Sequence, residues 1–406
     1  MRLLFTTYAE RAHLLPMVPL AWSCLTAGHE VRVATTPALI ETVERTGLPA
    51  VSVGHDIDVE TRLARGDLAP RNARADDPAD AVQARVLENM AQLMFDHCTA
   101  MSGDLVAYGR QWKPDLVVFD PVTYAGSVAA EVLGVPSVGH LYGMARLLRL
   151  ELRGLTSAEP LPGYLELFHR FGVEARIDPT AWVDPRPESL RWSEEDAVLP
   201  AASIKQRIPM RYIPYNGPGA VPGWLRTPSE KPRVCITWGT TQQRKMGVSV
   251  IDFFREVVHA VAELDVEVLV TVGAATPEYV ARLGTLPANV RPVGWVPLNM
   301  LLAGCDAIVH TGGTGTMMTA AACGVPQLGI TRILEGVYNT DQLVSTGAGI
   351  KLSEEGCDFG AVRDAVSALV HEPAYRAAAT RLKAEMEAQP TPNDVVGSLA
   401  DLVAKG

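Results

Sequence analysis

The chain has 406 residues, 48% hydrophobic and 20% charged, which is material for two ordinary globular domains of about 200 residues each. A formal net charge of -10, with no cluster of lysine or arginine, argues against a nucleic-acid partner, and no apolar run approaches the ~20 residues of a membrane span. The cysteines (Cys24, Cys98, Cys235, Cys305, Cys323 and Cys357) are scattered without C-x-x-C or ligand spacing, as expected of buried thiols in a reducing, cytoplasmic setting.

The first half alternates strand and helix. Residues 3–7 read as a buried strand rather than a signal sequence, 8–15 as a turn, and 16–27 as an amphipathic helix with Pro16 at its start and Gly28 past its end. Residues 30–35 give a second strand and 37–46 a helix ended by Gly47. Charge and proline without a period make 55–80 a loop, ahead of a long helical region over 81–110. Residues 114–120 are another buried strand, followed by a helix over 123–134. Such alternation predicts a doubly wound parallel sheet. From 142 to about 203 the pattern loosens and aromatics stand among prolines. Here Tyr142, Met144, Phe168 and Trp182 belong either to a peripheral layer of the first domain or to an apolar acceptor pocket.

The stretch 212–232 is rich in Pro and Gly and suits an interdomain connection. The alternation then restarts. Strands are expected over 234–238, 266–272, 290–293, 306–309 and 327–330, with helices over 248–264, 277–284, 298–303 and 316–324. The last twenty residues look helical and are expected to cross back onto the first domain. The whole reads as an α/β chain of two Rossmann-like domains, 1–216 and 217–387, with a returning helix over about 388–406.

The most informative segment is His310-Thr311-Gly312-Gly313-Thr314-Gly315-Thr316. A strand, a glycine-rich turn and a helix form an arrangement that binds phosphate, because glycine lets the backbone approach and the first helical amides point at the anion. His310 distinguishes it from a G-x-G-x-x-G dinucleotide turn and is expected to donate to a phosphate oxygen. Lying this late in the chain, the turn points to a sugar-nucleotide site between two domains.

His13 follows the first strand and Asp120 ends a later one, so both leave the same edge of a parallel sheet. A carboxylate on one imidazole nitrogen fixes the tautomer and frees the other nitrogen as a general base. The bland alternatives are a loop histidine without a role and an aspartate that caps a helix ahead of Pro121. Trp295, followed by Val296 and Pro297, either stacks on a base or only packs. Gly239-Thr240-Thr241 has the look of a hydroxyl-bearing phosphate turn, and Glu335, Asp341 and Gln342 follow the strand ending at Ile330, where by themselves they read as merely solvated. No H-E-x-x-H or Cys/His cluster calls for a metal, and no G-x-S-x-G elbow for a serine hydrolase.

Together these segments resemble GT-B glycosyltransferases of family 1. They are particularly similar to the actinomycete antibiotic enzymes that attach deoxysugars to polyketide macrolides, of the kind found in the erythromycin and spinosyn pathways. The likeness runs through His13 and Met17-Val18-Pro19-Leu20-Ala21-Trp22, then Ala27-Gly28-His29-Glu30-Val31-Arg32-Val33-Ala34 and Trp112-Lys113-Pro114-Asp115-Leu116-Val117. It continues in Met210-Arg211-Tyr212, Tyr215-Asn216-Gly217-Pro218, and the His310 turn with Gly324-Val325-Pro326-Gln327.

The resemblance implies two Rossmann-like domains facing across a cleft. It makes His13 the catalytic base and Asp120 its partner, and sets Trp295 on the nucleobase with the backbone of Val296 at the base edge. The His310 turn, with Gly312, Gly313, Gly315 and Thr316, holds the diphosphate, aided by the Gly239-Thr240-Thr241 turn; Glu335, Asp341 and Gln342 serve the donor sugar. Two departures stand out. Several relatives place aspartate where Glu335 aligns, and Met318 stands where users of a ribonucleotide often carry a ribose-binding glutamate. A dTDP-sugar is therefore favoured over a UDP-sugar.

The expected activity is inverting transfer of a deoxysugar from a dTDP-sugar to a hydroxyl of a hydrophobic polyketide-type aglycone, with no metal or other cofactor. Neither nucleic acid nor membrane is an expected partner, while a homodimer and the cytochrome-like activator protein that some relatives require are left open. The alternatives are a sugar-nucleotide 2-epimerase of the same fold and a non-catalytic sugar-nucleotide-binding partner. An intact His13 and Asp120 argue against the latter.

Overall fold

The computed structural model describes residues 1–58, 79–143, 145–154, 157–191, 206–239, 248–273 and 281–405. The chain divides into two compact units: Met1–Pro185, Trp192–Arg211 and Pro390–Gly406 form the first, and Arg186–Arg191 with Tyr212–Gln389 the second.

In chain order the first unit contains β1 (Arg2–Thr6), α1 (Arg11–Leu14), α2 (Val18–Thr26), β2 (Glu30–Thr35), α3 (Ile40–Glu44) and β3 (Ala50–Ser52). There follow α4 (Ala79–Trp112), β4 (Leu116–Phe119), α5 (Tyr124–Leu133), β5 (Ser137–His140), α6 (Pro162–His169), β6 (Ala181–Asp184) and β7 (Arg207–Pro209). Among the described residues the strands form one seven-stranded sheet, ordered β3-β2-β1-β4-β5-β6-β7, and every neighbouring pair is parallel. Strands buried on both faces read as continuous apolar runs, and β4, Leu-Val-Val-Phe, is buried at every position. Proline is confined to the end of edge strand β7, where a missing N–H costs no ladder bond. Phe95, Met101 and Leu105 of α4 pack with Tyr124 and Val128 of α5 in the main core.

The second unit contains β8 (Arg233–Ile236), α7 (Val248–Ala262), β9 (Glu267–Thr271), β10 (Val290–Val293), α8 (Leu298–Leu302) and β11 (Ala307–His310). It continues with α9 (Thr314–Cys323), β12 (Gln327–Thr331), α10 (Leu334–Ser345), β13 (Gly349–Ser353), α11 (Phe359–His371) and α12 (Pro373–Glu387). Its described strands form a second parallel sheet, ordered β10-β9-β8-β11-β12-β13. The last helix, α13 (Pro392–Lys405), buries Val395, Val396, Leu399 and Leu402 and packs on α2 of the first unit. This is an α/β architecture of two doubly wound parallel sheets.

Several local expectations change. Residues 16–27 are not one helix. Pro16 and Pro19 remove two N–H donors, so the chain passes through α1 and a 3-10 turn at Leu15–Met17 before α2 begins. The turn expected over 8–15 thus contains the short helix that carries His13. The loose stretch from 142 holds α6 and β6, each too short to show a period. The Pro- and Gly-rich stretch from 212, expected as an interdomain connection, belongs to the second unit: Tyr212 is buried beside Met317 and Met318, and Trp224 and Leu225 pack on the core around Leu301. Helix α9 begins two residues earlier than expected, so Gly315 and Thr316 are helical. Residues 59–78 of the loop expected over 55–80, and the first half of the helix expected over 277–284, lie outside the described residues. Among the described residues no helix is long and apolar enough to cross a membrane.

Candidate active site

In an open parallel sheet, ligands gather at the carboxyl ends of the strands, where the strand order reverses. In the first unit that point lies between β1 and β4, which pair with Thr6 beside Phe119. The chain leaves β1 towards His13 and leaves β4 at Asp120.

Asp120 is fully buried and well supplied with donors. Its Oδ1 accepts from His13 Nδ1 at 2.8 Å and from the Val122 amide at 3.3 Å, while its Oδ2 accepts from the Thr123 hydroxyl. Thr123 Oγ1 in turn accepts the Tyr8 amide at 2.9 Å, tying the loop after β1 to the loop after β4. The residue preceding α5 in the cap position is Thr123, so Asp120 is not the helix cap that its neighbour Pro121 allowed.

A carboxylate only accepts, so His13 donates from Nδ1 and presents a lone pair on Nε2. Two phenols meet that lone pair: Tyr8 Oη lies 3.0 Å and Tyr142 Oη 3.1 Å from Nε2. The His13 ring lies between the two tyrosines edge-on, with centroids 4.5 and 4.4 Å away. Tyr142 was an acceptor candidate from sequence; Tyr8 carried no motif and was missed.

Two other acceptor candidates are core residues. Phe168 is fully buried against Tyr164, and Trp182 packs on Leu141 and Leu148 with the backbone of Gly139 under its ring, so neither offers a surface to an acceptor. Both are short-element aromatics whose burial no period reveals. Met144 lies outside the described residues.

In the second unit the reversal lies between β8 and β11. Gly239 follows β8 in a left-handed conformation (φ 68°), and its amide donates to Thr237 Oγ1 at 3.3 Å. Thr240 and Thr241 lie outside the described residues. Trp295, beyond β10, is 41% exposed and donates from Nε1 to the Pro218 carbonyl at 3.1 Å, which holds the indole in place while leaving ring surface open. Val296 beside it is half-buried against the core around Leu301.

The glycine turn after β11 is built from inside. His310 is 1% exposed; its Nδ1 accepts the Gly312 amide at 2.9 Å and its Nε2 pairs with Gln327 Oε1 at 2.9 Å. Both ring nitrogens are thus committed within the fold. This corrects the expectation that His310 donates to phosphate: it braces the turn. Gly312 has φ 81°, and a Cβ there would lie 2.6 Å from the Gly336 backbone of α10. By contrast, a Cβ on Gly313 or Gly315 would meet nothing within 4 Å. The turn is therefore packed on its α10 side and open on the other, where the amides that begin α9 lack intrahelical partners. Thr316 sits half-buried in that first turn.

Glu335 opens α10 and its Oε1 accepts from Thr314 Oγ1 at 2.6 Å, so it stands at the turn. Asp341 and Gln342 follow one and a half to two turns later, roughly 10 Å along the helix. Asp341 is ion-paired with Lys351 of β13, so it does not share the place of Glu335 expected for the donor-sugar set; Gln342 is half-buried beside it in sequence. Met318 is fully buried between Leu190 and Tyr212 and offers a ribose neither acceptor nor surface. Among the described residues no three His, Cys, Asp or Glu side chains converge on a metal position.

Burial pushes His310 down to about 4 and does the same to His140 at the end of β5, where nearby backbone carbonyls and Asp120 only partly oppose it. Each ring stays neutral in the fold but titrates near 6.5 once unfolded. Both units should therefore lose stability as pH falls from about 6.5 towards 4, each histidine contributing at most about 1.4 kcal/mol per pH unit. Calorimetric unfolding at pH 7, 6 and 5 tests this, and transitions that hold still across the window would contradict it.

The family described as erythromycin biosynthesis protein CIII-like matches twice, its N-terminal domain over residues 22–239 and its C-terminal domain over residues 255–402. The aclacinomycin-T 2-deoxy-L-fucose transferase of Streptomyces galilaeus is 37% identical over 444 residues, covering 100% of this chain and 97% of that protein. Among solved structures, the glycosyltransferase VinC in complex with dTDP aligns with a TM-score of 0.82 at 34% identity, covering 100% of both chains. The spinosyn rhamnosyltransferase SpnG complexed with spinosyn aglycone aligns at 0.80 and 27% identity, over 98% of this chain and 100% of that one. Matched along both halves by one family, and built as its structural relatives are, the chain belongs to the erythromycin biosynthesis protein CIII-like family and is a GT-B glycosyltransferase.

Proposed function

We propose that the protein is an inverting transferase that moves a deoxysugar from a dTDP-sugar to a hydroxyl of an apolar polyketide aglycone. The observation that carries this reading is the His13–Asp120 pair at the reversal point of the first sheet, with Nε2 turned towards two hydroxyls. The phenols of Tyr8 and Tyr142 mark where an acceptor hydroxyl would deliver its proton. As the acceptor oxygen bonds to the anomeric carbon, its proton passes to His13 Nε2. The bond from that carbon to the diphosphate oxygen breaks on the opposite face. Asp120 stabilises the imidazolium so formed.

The leaving diphosphate sits at the open side of the glycine turn, on the amides that begin α9, which stand in for a cation. Trp295 stacks on the base, and Glu335 serves the donor sugar from the first turn of α10. Donor and acceptor classes are supported by the relatives' own names, a 2-deoxy-L-fucose transferase, a dTDP complex and an aglycone complex. Neither the 2-epimerase nor the non-catalytic alternative has a counterpart among them.

Incubation with dTDP-deoxysugars and a panel of polyketide aglycones, read by mass spectrometry, tests the reaction; a product with inverted anomeric configuration is expected. With no acceptor at Met318 for a ribose 2′-hydroxyl, dTDP should bind at least as tightly as UDP in calorimetry, and a clear preference for UDP would reject that assignment. EDTA should leave turnover unchanged. Activity that vanished on chelation and returned with magnesium or manganese would replace the amide-only mechanism.

A further inference from the structure

Arg186 lies in a six-residue segment, Arg186–Arg191, that belongs to the second unit although the chain on either side of it belongs to the first. It is 3% exposed, and its backbone is held as firmly as its side chain: the Arg186 carbonyl accepts from Arg191 Nε at 2.9 Å, Arg191 Nη2 at 2.6 Å and Gln389 Nε2 at 3.1 Å. Arg186 Nη2 donates to Asn339 Oδ1 at 3.0 Å. Asn339, fully buried in α10, donates from Nδ2 to the Gly312 carbonyl at 3.0 Å and to Thr314 Oγ1 at 2.9 Å. Thr314 Oγ1 then donates to Glu335.

This chain has only one polarity. A guanidinium cannot accept, so Asn339 must present its oxygen to Arg186 and both amide hydrogens to the turn. The Thr314 hydroxyl, already accepting from Asn339, turns its own hydrogen to Glu335. Without the guanidinium, the buried Asn339 Oδ1 loses the donor it takes from Arg186, and the amide that holds the Gly312 carbonyl and Thr314 is less firmly fixed. The cation also lies one side chain behind the start of α9. Burial lowers its pKa to about 10, which the Glu335 charge partly opposes, so it remains positive at neutral pH.

We propose that Arg186 is a positioning residue for the donor diphosphate: through Asn339 it fixes the Gly312–Thr314 turn, and its buried charge adds to the field an anion meets at the start of α9. The proposal rests on the reading that this turn holds the diphosphate. It gives a role in donor recognition to a residue more than 120 positions before the turn, in the stretch otherwise read for the acceptor.

The test compares dTDP with thymidine, which lacks the phosphates, by calorimetry on the wild type, Arg186→Met and Arg186→Lys. Arg186→Met should weaken dTDP about tenfold or more while leaving thymidine within about twofold. Arg186→Lys, which keeps the charge and one donor, should recover a substantial part of the loss. A folded Arg186→Met protein that binds dTDP like the wild type, or that loses dTDP and thymidine equally, overturns the proposal. Should Arg186→Met not fold, Arg186→Gln, which removes the charge and keeps a donor, carries the same comparison, with selective weakening of dTDP supporting the proposal and none, or an equal loss of both, overturning it. A wild type that fails to bind dTDP at all rejects the diphosphate reading itself, and the role of Arg186 falls with it.

Discussion

His13→Ala should lower turnover by roughly 10²–10⁴-fold while leaving dTDP affinity within about twofold. The size follows from the role proposed for the imidazole: a group that only takes a proton in the transition state, with the nucleotide held elsewhere, is lost from kcat rather than from donor binding. Asp120 keeps two donors in the variant, the Val122 amide and the Thr123 hydroxyl, so its buried carboxylate is not stranded and the first unit should still fold. His13→Gln preserves more of the packing between Tyr8 and Tyr142 and serves as the second variant, with the same expected loss. Asp120→Asn should also reduce turnover with donor affinity intact, because an amide in that place no longer stabilises an imidazolium. Single-turnover rates alongside dTDP calorimetry separate the effects. Near-normal turnover in a folded His13→Ala protein would remove His13 from the mechanism.

Gly312→Ala should abolish dTDP binding, by about a hundredfold or more, and lower the melting temperature. Two costs coincide at this position. Alanine resists the left-handed backbone at φ 81° by roughly 1–2 kcal/mol, and its Cβ would lie 2.6 Å from both the Cα and the carbonyl oxygen of Gly336. Backbone cannot swing aside as a side chain does. Helix α10 would have to retreat, carrying Glu335 and Asn339 away from the turn. Gly313→Ala provides the contrast. Its φ is -63°, and the new Cβ meets no protein atom within 4 Å, so stability should be kept. The added methyl projects to the open side of the turn, and dTDP should bind more weakly for that reason alone. Melting temperature and dTDP affinity, measured on both variants, check the pair. A Gly312→Ala protein with wild-type values of each would show that the close approach to α10 is not needed.

Much of the frame follows from local physics. Runs such as Leu116–Phe119 and 307–309 are apolar throughout because both faces of a parallel strand are buried, and their alternation with helices ended by Gly134 and Gly324 in left-handed conformations marks the doubly wound plan. His13 and Asp120 were legible as candidates because each follows an apolar run, and consecutive parallel strands place such positions at one edge. The glycine turn was legible because its composition reports its backbone. The short elements β3, β5, β6, β7 and β13 were not, since each carries polar residues within its three to five positions and leaves neither a period nor an apolar run.

What the sequence by itself determined, then, is the order of strands and helices and the edge at which chemistry gathers, because those depend on residues near one another in the chain. Only the tertiary structure decided which way each side chain faces and what it meets. It turned His310 inward onto Gly312 and Gln327, buried Phe168 and Trp182, set Asp341 on Lys351, and brought Tyr8 and Tyr142 to one nitrogen of His13. It also carried Arg186 across from the first half of the chain to stand behind the turn. Some of these hydrogen bonds join residues more than 100 positions apart, as His13 and Asp120 (107) and Arg186 and Asn339 (153) are, and their partners are chosen by packing rather than by spacing.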